Sequence, residues 1–223
     1  MNEILLRSST GGFSTLRRFA RLDLWMETGR AAGEIERCDF CNVPLAANHR
    51  HLLRMDDRKI ICTCDPCALR FQSVIGGRYQ LIPREVQMLP DFRMTDAEWE
   101  DLALPINLAF FVNGAVSRKV IAVYPSPAGP VEAFLSRDHW NQMAANNPVL
   151  DRLKPDVEAL LVNRVGSARE YFIAPIDACY ELVGVIRQNW RGFSGGETVW
   201  TEIKRIFVRL AGQAAPRPEL DYA

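Results

Sequence analysis

In the second half of the chain apolar residues come in short, nearly continuous runs, while in the first half they fall at helical spacing or flank a polar turn. Ile106–Val112 is a continuous apolar run that suits a buried strand, Lys119–Tyr124, Val131–Leu135 and Glu170–Pro175 read as further strands, and Asp156–Asn163 is ambiguous by periodicity, though its apolar end fits a strand. Asn113-Gly114 supplies a turn after the first run, and Pro125 to Pro130 a loop after the second. Between these runs the period changes. Ser136 caps a helix that carries His139, Trp140 and Met143 and stops at Asn146-Asn147-Pro148. Two longer helices, Ile176 to about Trp190 and Glu197 to about Leu210, close the fold.

Toward the N-terminus, Leu16, Phe19, Ala20 and Leu24 predict a helix from Ser14 that ends by Gly29–Gly33. His51–Met55 and Lys59–Cys62 flank the polar turn Asp56-Asp57-Arg58 and predict a hairpin. Centred between Asp57 and Arg58, that hairpin sets Leu53 opposite Cys62 and His51 opposite Cys64, with His49, His51, Cys62 and Cys64 on one face. Pro66 occupies a place where a first-turn proline is tolerated, so a helix follows through Phe71 and stops at Gly76-Gly77. Tyr79–Pro83 reads as extended and Leu89-Pro90-Asp91 as a turn, and Thr95-Asp96-Ala97-Glu98 has the form of a capping box. The expected class is α+β, in four stretches. A helical segment over 1–35 precedes a small treble-clef-like zinc module over 36–90. An α+β domain with a mainly antiparallel sheet and two C-terminal helices spans 91–215, and a tail covers 216–223.

Composition works mainly by exclusion. Lys+Arg equals Asp+Glu at 27 each in 223 residues, whereas a nucleic-acid binder carries a basic excess to replace counterions. No apolar run approaches the ~20 residues a membrane helix needs. Leu16-Arg17-Arg18-Phe19 is superficially like a twin-arginine export signal, but Arg21, Asp23 and Glu27 interrupt what should be an apolar segment. The expectation is a cytoplasmic protein with no nucleic-acid or membrane partner.

The strongest chemical signal lies in Cys38-Asp39-Phe40-Cys41 and Cys64-Asp65-Pro66-Cys67, each pair spaced so that two thiolates of one turn face a single ion. Two such pairs around a hairpin form the ligand set of a four-thiolate site, with Cys38, Cys41, Cys64 and Cys67 as metal ligands. Zinc is the expected ion. Iron in a rubredoxin-like site is less favoured, because Asn42 and Ala68 stand where those sites carry glycine. Disulfides would require an oxidising compartment. His49, His51 and Cys62 are further candidates, either replacing a thiolate or binding a second ion, but four cysteines already satisfy a tetrahedral site, and the favoured role for the three is structural.

The rest of the chain offers weaker constellations. Cys179 with His139 would make a nucleophile and base, yet a helical cysteine among Tyr180, Leu182, Val183 and Ile186 reads as core. Asp177 and Glu181 share a helix face and could form an acid/base or metal pair, but solvation or a nearby arginine such as Arg187 or Arg191 is the ordinary remedy for their repulsion. Gly192 to Gly196 lacks the Lys-Ser/Thr of a phosphate loop and reads as a helix stop and start. No catalytic residues and no organic cofactor are assigned.

Several blocks together, the two cysteine pairs with His49-Arg50-His51-Leu52-Leu53, Tyr124-Pro125-Ser126-Pro127-Ala128-Gly129, Pro175 to Leu182 and Trp190 to Gly196, resemble an uncharacterised bacterial zinc-finger-containing family encoded beside actinobacterial-type nickel-iron hydrogenase genes. The resemblance covers most of the chain after about residue 35. It implies a non-enzymatic accessory role in hydrogenase assembly or maturation, with hydrogenase subunits or maturation proteins as partners. An iron-binding electron-transfer or metal-delivery protein of the same system is the alternative.

Overall fold

The structure, a computed structural model, describes residues 35–72, 77–115, 117–192 and 195–214. The expected helix from Ser14 and the tail 216–223 lie outside the described residues. Ile35–Ala223 form one compact unit built on two antiparallel sheets. A three-stranded sheet contains β1 (Arg50–Arg54), β2 (Lys59–Thr63) and β3 (Tyr79–Leu81) in the order β2-β1-β3. Helix α1 (Asp65–Phe71) follows β2 directly.

The larger sheet has six strands: β4 (Gln87–Met88), β5 (Leu108–Asn113), β6 (Val120–Ser126), β7 (Gly129–Leu135), β8 (Glu158–Asn163) and β9 (Glu170–Pro175). Their order is β4-β9-β8-β5-β6-β7, and every pairing is antiparallel. Helices α4 (Ile176–Asn189) and α5 (Gly196–Gln213) cover one face, while α2 (Asp96–Glu100), α3 (Arg137–Asn146) and a short 3-10 turn at Pro148–Arg152 cover the other.

Coverage on both faces is why the strand sequences are apolar throughout instead of alternating. Phe110, Leu161 and Phe172 pack with Leu182, Val199 and Phe207 on the α4/α5 side, and Phe111, Leu160 and Ile173 pack with Trp99, Met143 and Leu150 on the other. Thr95 and Glu98 form the reciprocal capping box at α2, and Ser136 accepts from the His139 N–H at the start of α3.

Three expectations are corrected. The Pro125–Pro130 stretch is no loop: β6 and β7 continue through it with Pro125 opposite Pro130, leaving a tight turn at Pro127-Ala128. Pairing of β6 with β5 covers Val120–Val123 only, so neither proline removes a ladder donor that another strand needs. Helix α1 ends at Phe71, with Gln72 as its cap, ahead of the glycines expected to stop it. The hairpin register differs by two residues, with His51 opposite Cys62 and Leu53 opposite Ile60. The turn closes as Arg54 opposite Lys59, held by a bidentate Arg54–Asp57 pair at 2.8 and 2.6 Å and by a left-handed Arg58 (φ 59°). A shift of two preserves facing, so His51 and Cys62 still share a side.

That side faces the larger sheet's helical layer. Leu53 of β1, with Ile60 and Met55, joins the core cluster that contains Phe110, Ile176 and Leu182. Arg58 donates to Asp156 at 3.0 Å, and Gln80 donates to the Pro155 carbonyl at 3.1 Å. The two sheets thus share one apolar core. Phe110→Ala, which empties a fully buried ring position at its centre, should cost about 3–5 kcal/mol, read as a lower urea midpoint with an unchanged slope.

Candidate metal centre

Each cysteine pair is placed by a different local device. At the first, the Asn42 N–H donates to the Cys38 carbonyl at 2.8 Å and the Cys38 N–H to the Val43 carbonyl at 2.9 Å, closing a knuckle. The knuckle requires a left-handed residue at Asn42 (φ 62°), and asparagine is among the side chains that tolerate it. Asp39 ties the knuckle to β2 from both sides, its N–H donating to the Cys62 carbonyl at 2.9 Å and its carboxylate accepting from the Cys62 N–H at 2.7 Å. At the second pair, Cys64 is the N-cap of α1 and Cys67 lies in its first turn, with Pro66 between them. Phe40 at the knuckle's tip stacks on Phe71 of α1, ring centres 4.2 Å apart, which fixes one pair against the other.

The sulfurs of Cys38, Cys41, Cys64 and Cys67 all lie within 4.8 Å of one another, and Cys41 Sγ is 3.6 Å from Cys64 Sγ. A tetrahedron with metal–sulfur bonds of ~2.3 Å has edges of about 3.8 Å, so the spacing fits one thiolate-bound ion. All six cysteines of the chain are free thiols.

The electrostatics point the same way. Burial alone would push the Cys38 thiol up, but the backbone N–H groups of Cys64, Cys41 and Phe40 outweigh it and lower its pKa to about 6. At Cys64 the Cys67 N–H favours the thiolate, yet burial and the neighbouring thiols prevail and raise it. Cys67 is driven well up, first by burial and then by its three sulfur neighbours. Negative charge is welcome once in this group and resisted thereafter, which is the condition a cation relieves.

Beside this group, on the docking face of the hairpin, sit His49, His51 and Cys62, whose ligand atoms also lie within 4.8 Å of one another. His51 Nδ1 is 2.7 Å from Asp177 Oδ2 at the start of α4, and the other Asp177 oxygen accepts from the Ala178 N–H at 2.8 Å. Burial would lower the His51 pKa, but Asp177 and Cys62 outweigh it and raise it to about 9. His49 Nδ1 is 2.9 Å from the Ala46 carbonyl.

Other expected constellations are taken apart. Asp177 and Glu181 do not act as a pair: Asp177 turns to His51, while Glu181 accepts two bonds from Arg209 of α5 at 2.9 and 2.6 Å, in place of Arg187 or Arg191. Cys179 is fully buried in the core on the α4/α5 face, where burial pushes its thiol up, and His139 rides on α3 across the sheet, so the two do not meet. Phe193 and Ser194 lie outside the described residues, but Gly195 is the left-handed N-cap of α5 (φ 86°), where a Cβ would come within 2.8 Å of Val199. The contact that sequence reasoning missed is His51–Asp177, separated by 126 positions.

Cys64→Ser removes one of the four thiolate donors while leaving a residue suited to the N-cap, and should reduce bound metal in the purified protein by roughly tenfold or more in elemental analysis. Hydrogen exchange over residues 36–77 should accelerate in the same variant, since metal binding in so small a unit is folding free energy.

Comparison with protein families finds a match over residues 37–214, to a family described as being of unknown function, DUF5947. No curated protein and no solved structure matches. The matched stretch includes both cysteine pairs together with His49, His51, Cys62 and Asp177. Because it spans most of the chain, this protein belongs to the DUF5947 family of unknown function.

Proposed function

We propose that the chain is a zinc-binding accessory protein with no turnover of its own, in which a treble-clef-like module of knuckle, hairpin and helix is held by Cys38, Cys41, Cys64 and Cys67. The observation that carries this is a closed shell: four protein sulfurs within 4.8 Å occupy every position of a tetrahedral ion, leaving none for substrate. Such sites stabilise a fold. Here the fold they stabilise is continuous with the main core through Leu53 and Ile60, so the ion supports the whole compact unit.

The function then lies in a surface. Leu69 of α1, Phe134 of β7 and Val208 of α5 are large apolar residues more than half exposed. Among the tryptophans, Trp200 is exposed and Trp140 half-buried, but Trp99 is only 5% exposed and donates to Asn107 at 2.8 Å. Trp99 is a core residue and offers no surface anchor. For the partner we adopt the class implied by the sequence resemblance, a nickel-iron hydrogenase subunit or one of its maturation proteins. Among the described residues no helix is long and apolar enough to cross a membrane.

A strain lacking this protein should accumulate less mature hydrogenase, and a tagged copy should co-purify a hydrogenase subunit or maturation protein, with Leu69→Ser or Trp200→Ser weakening capture. Normal hydrogenase activity with no co-purifying partner, under conditions that express the genes, would refute the partner reading. The purified protein should be colourless with one tightly held zinc per chain; visible thiolate-to-iron absorption would instead favour the iron-binding alternative.

A further inference from the structure

The three side chains left beside the thiolate group have the arrangement of a second ligand set. His49 immediately precedes β1, its ring centre 4.6 Å from that of His51, and Cys62 is directly opposite His51 on β2. Each histidine engages an oxygen through Nδ1, His49 the Ala46 carbonyl at 2.9 Å and His51 the Asp177 carboxylate at 2.7 Å. A carbonyl can only accept, so His49 carries its proton on Nδ1 and in the neutral ring presents a bare Nε2. That Nε2 is buried without any hydrogen-bond partner, on a side chain only 6% exposed. A buried acceptor with nothing to accept from is costly and calls for a ligand. Holding a histidine by Nδ1 from a backbone carbonyl or carboxylate, with Nε2 turned to an ion, is the usual outer support of a metal-bound imidazole.

We propose that His49 Nε2, His51 Nε2 and Cys62 Sγ bind a second divalent transition-metal ion of the zinc type, with a fourth position open to solvent. The two-nitrogen, one-sulfur donor set suits borderline ions such as zinc, cobalt or nickel and does not suit magnesium or calcium. The open position rests on partial exposure: the His51 and Asp177 side chains are 25% and 24% exposed, and Cys62 is half-buried, whereas the four-thiolate shell already has four protein donors. Three protein ligands and a vacant place distinguish this site from the closed four-thiolate shell, and make its ion exchangeable with an external donor. Asp177 is a positioning residue here, acting on the ion through His51 and joining the site to α4. The inference does not depend on the identity of the partner or on the ion held by the four thiolates.

The test is metal stoichiometry on the full chain. After reconstitution with excess zinc and gel filtration, the wild-type protein should hold two ions, of which a brief treatment with a mild chelator removes one. His49→Ala and Cys62→Ser should each hold one, resistant to the same treatment, with the four-thiolate ion intact. Asp177→Asn should keep two sites but weaken the exchangeable one ~10–100-fold in competition with a chromophoric chelator. Cobalt titration of the unaltered protein guards against variants that fail to fold, because the second equivalent should give absorption bands distinct from those of the first. A single tight ion in the reconstituted wild type with no second cobalt species, or two ions retained in well-folded His49→Ala, would overturn the proposal. Loss of the chelator-resistant ion in Cys64→Ser reports on the four-thiolate site alone, so the two assignments fail separately.

Discussion

Both halves of the structure depend on the two faces of one short hairpin. Alternation sends Leu53 and Ile60 of β1 and β2 into the core shared with α4, and sends His51 and Cys62 to the same side nearer the metal-binding end. Leu52 and Ile61 point the opposite way and are buried as well. A strand pair whose central residues are buried on both faces has little freedom to slip, because a one-residue shift would exchange those buried contacts at once. The register is therefore held by packing from both sides, and with it the separation of the four sulfurs and of the neighbouring histidines.

Charge supplies the complementary constraint. The knuckle's N–H groups and the start of α1 favour a thiolate at Cys38, while the crowding of sulfurs resists further ionisation at Cys64 and Cys67. Protein dipoles alone bring the group only part of the way, and a bound cation completes it. The same logic extends to the second cluster, where Asp177 fixes one histidine and a backbone carbonyl the other. Two ions of different accessibility, one enclosed and one at the seam between the hairpin and α4, would give the protein a rigid support and an exchangeable position within one small region.

Much of this was legible in the chain itself. The two cysteine pairs, the capping box at Thr95 and the helix start at Ser136 are local signals whose spacing carries their meaning, and the structure brings each into place. The uninterrupted apolar run of β5 announced a buried strand, whereas the stretch that forms β8 was ambiguous by period and only the sheet's double covering made it a strand buried on both sides. Side-chain type and short-range periodicity were enough for the others, because the interactions that decide them span only a few residues.

Other features were set only by tertiary structure. Pro125 and Pro130 read as loop residues because proline breaks a ladder, yet they face each other where no third strand needs their donors, which depends on where β5 stops pairing. Trp99 sits in a short capped helix with no local sign of burial, and it is the covering of the sheet's second face that buries it. Glu181 found Arg209 on another helix, and Asp177 found His51 across 126 positions. Nothing in the spacing of a sequence ranks such distant partners, since the choice follows from how α4 docks against the hairpin. The amino-acid sequence determined which residues could hold an ion and which would form the sheet; the docking of the two sheets decided which side chains stand beside them, because contact across a shared core is a property of the packed chain.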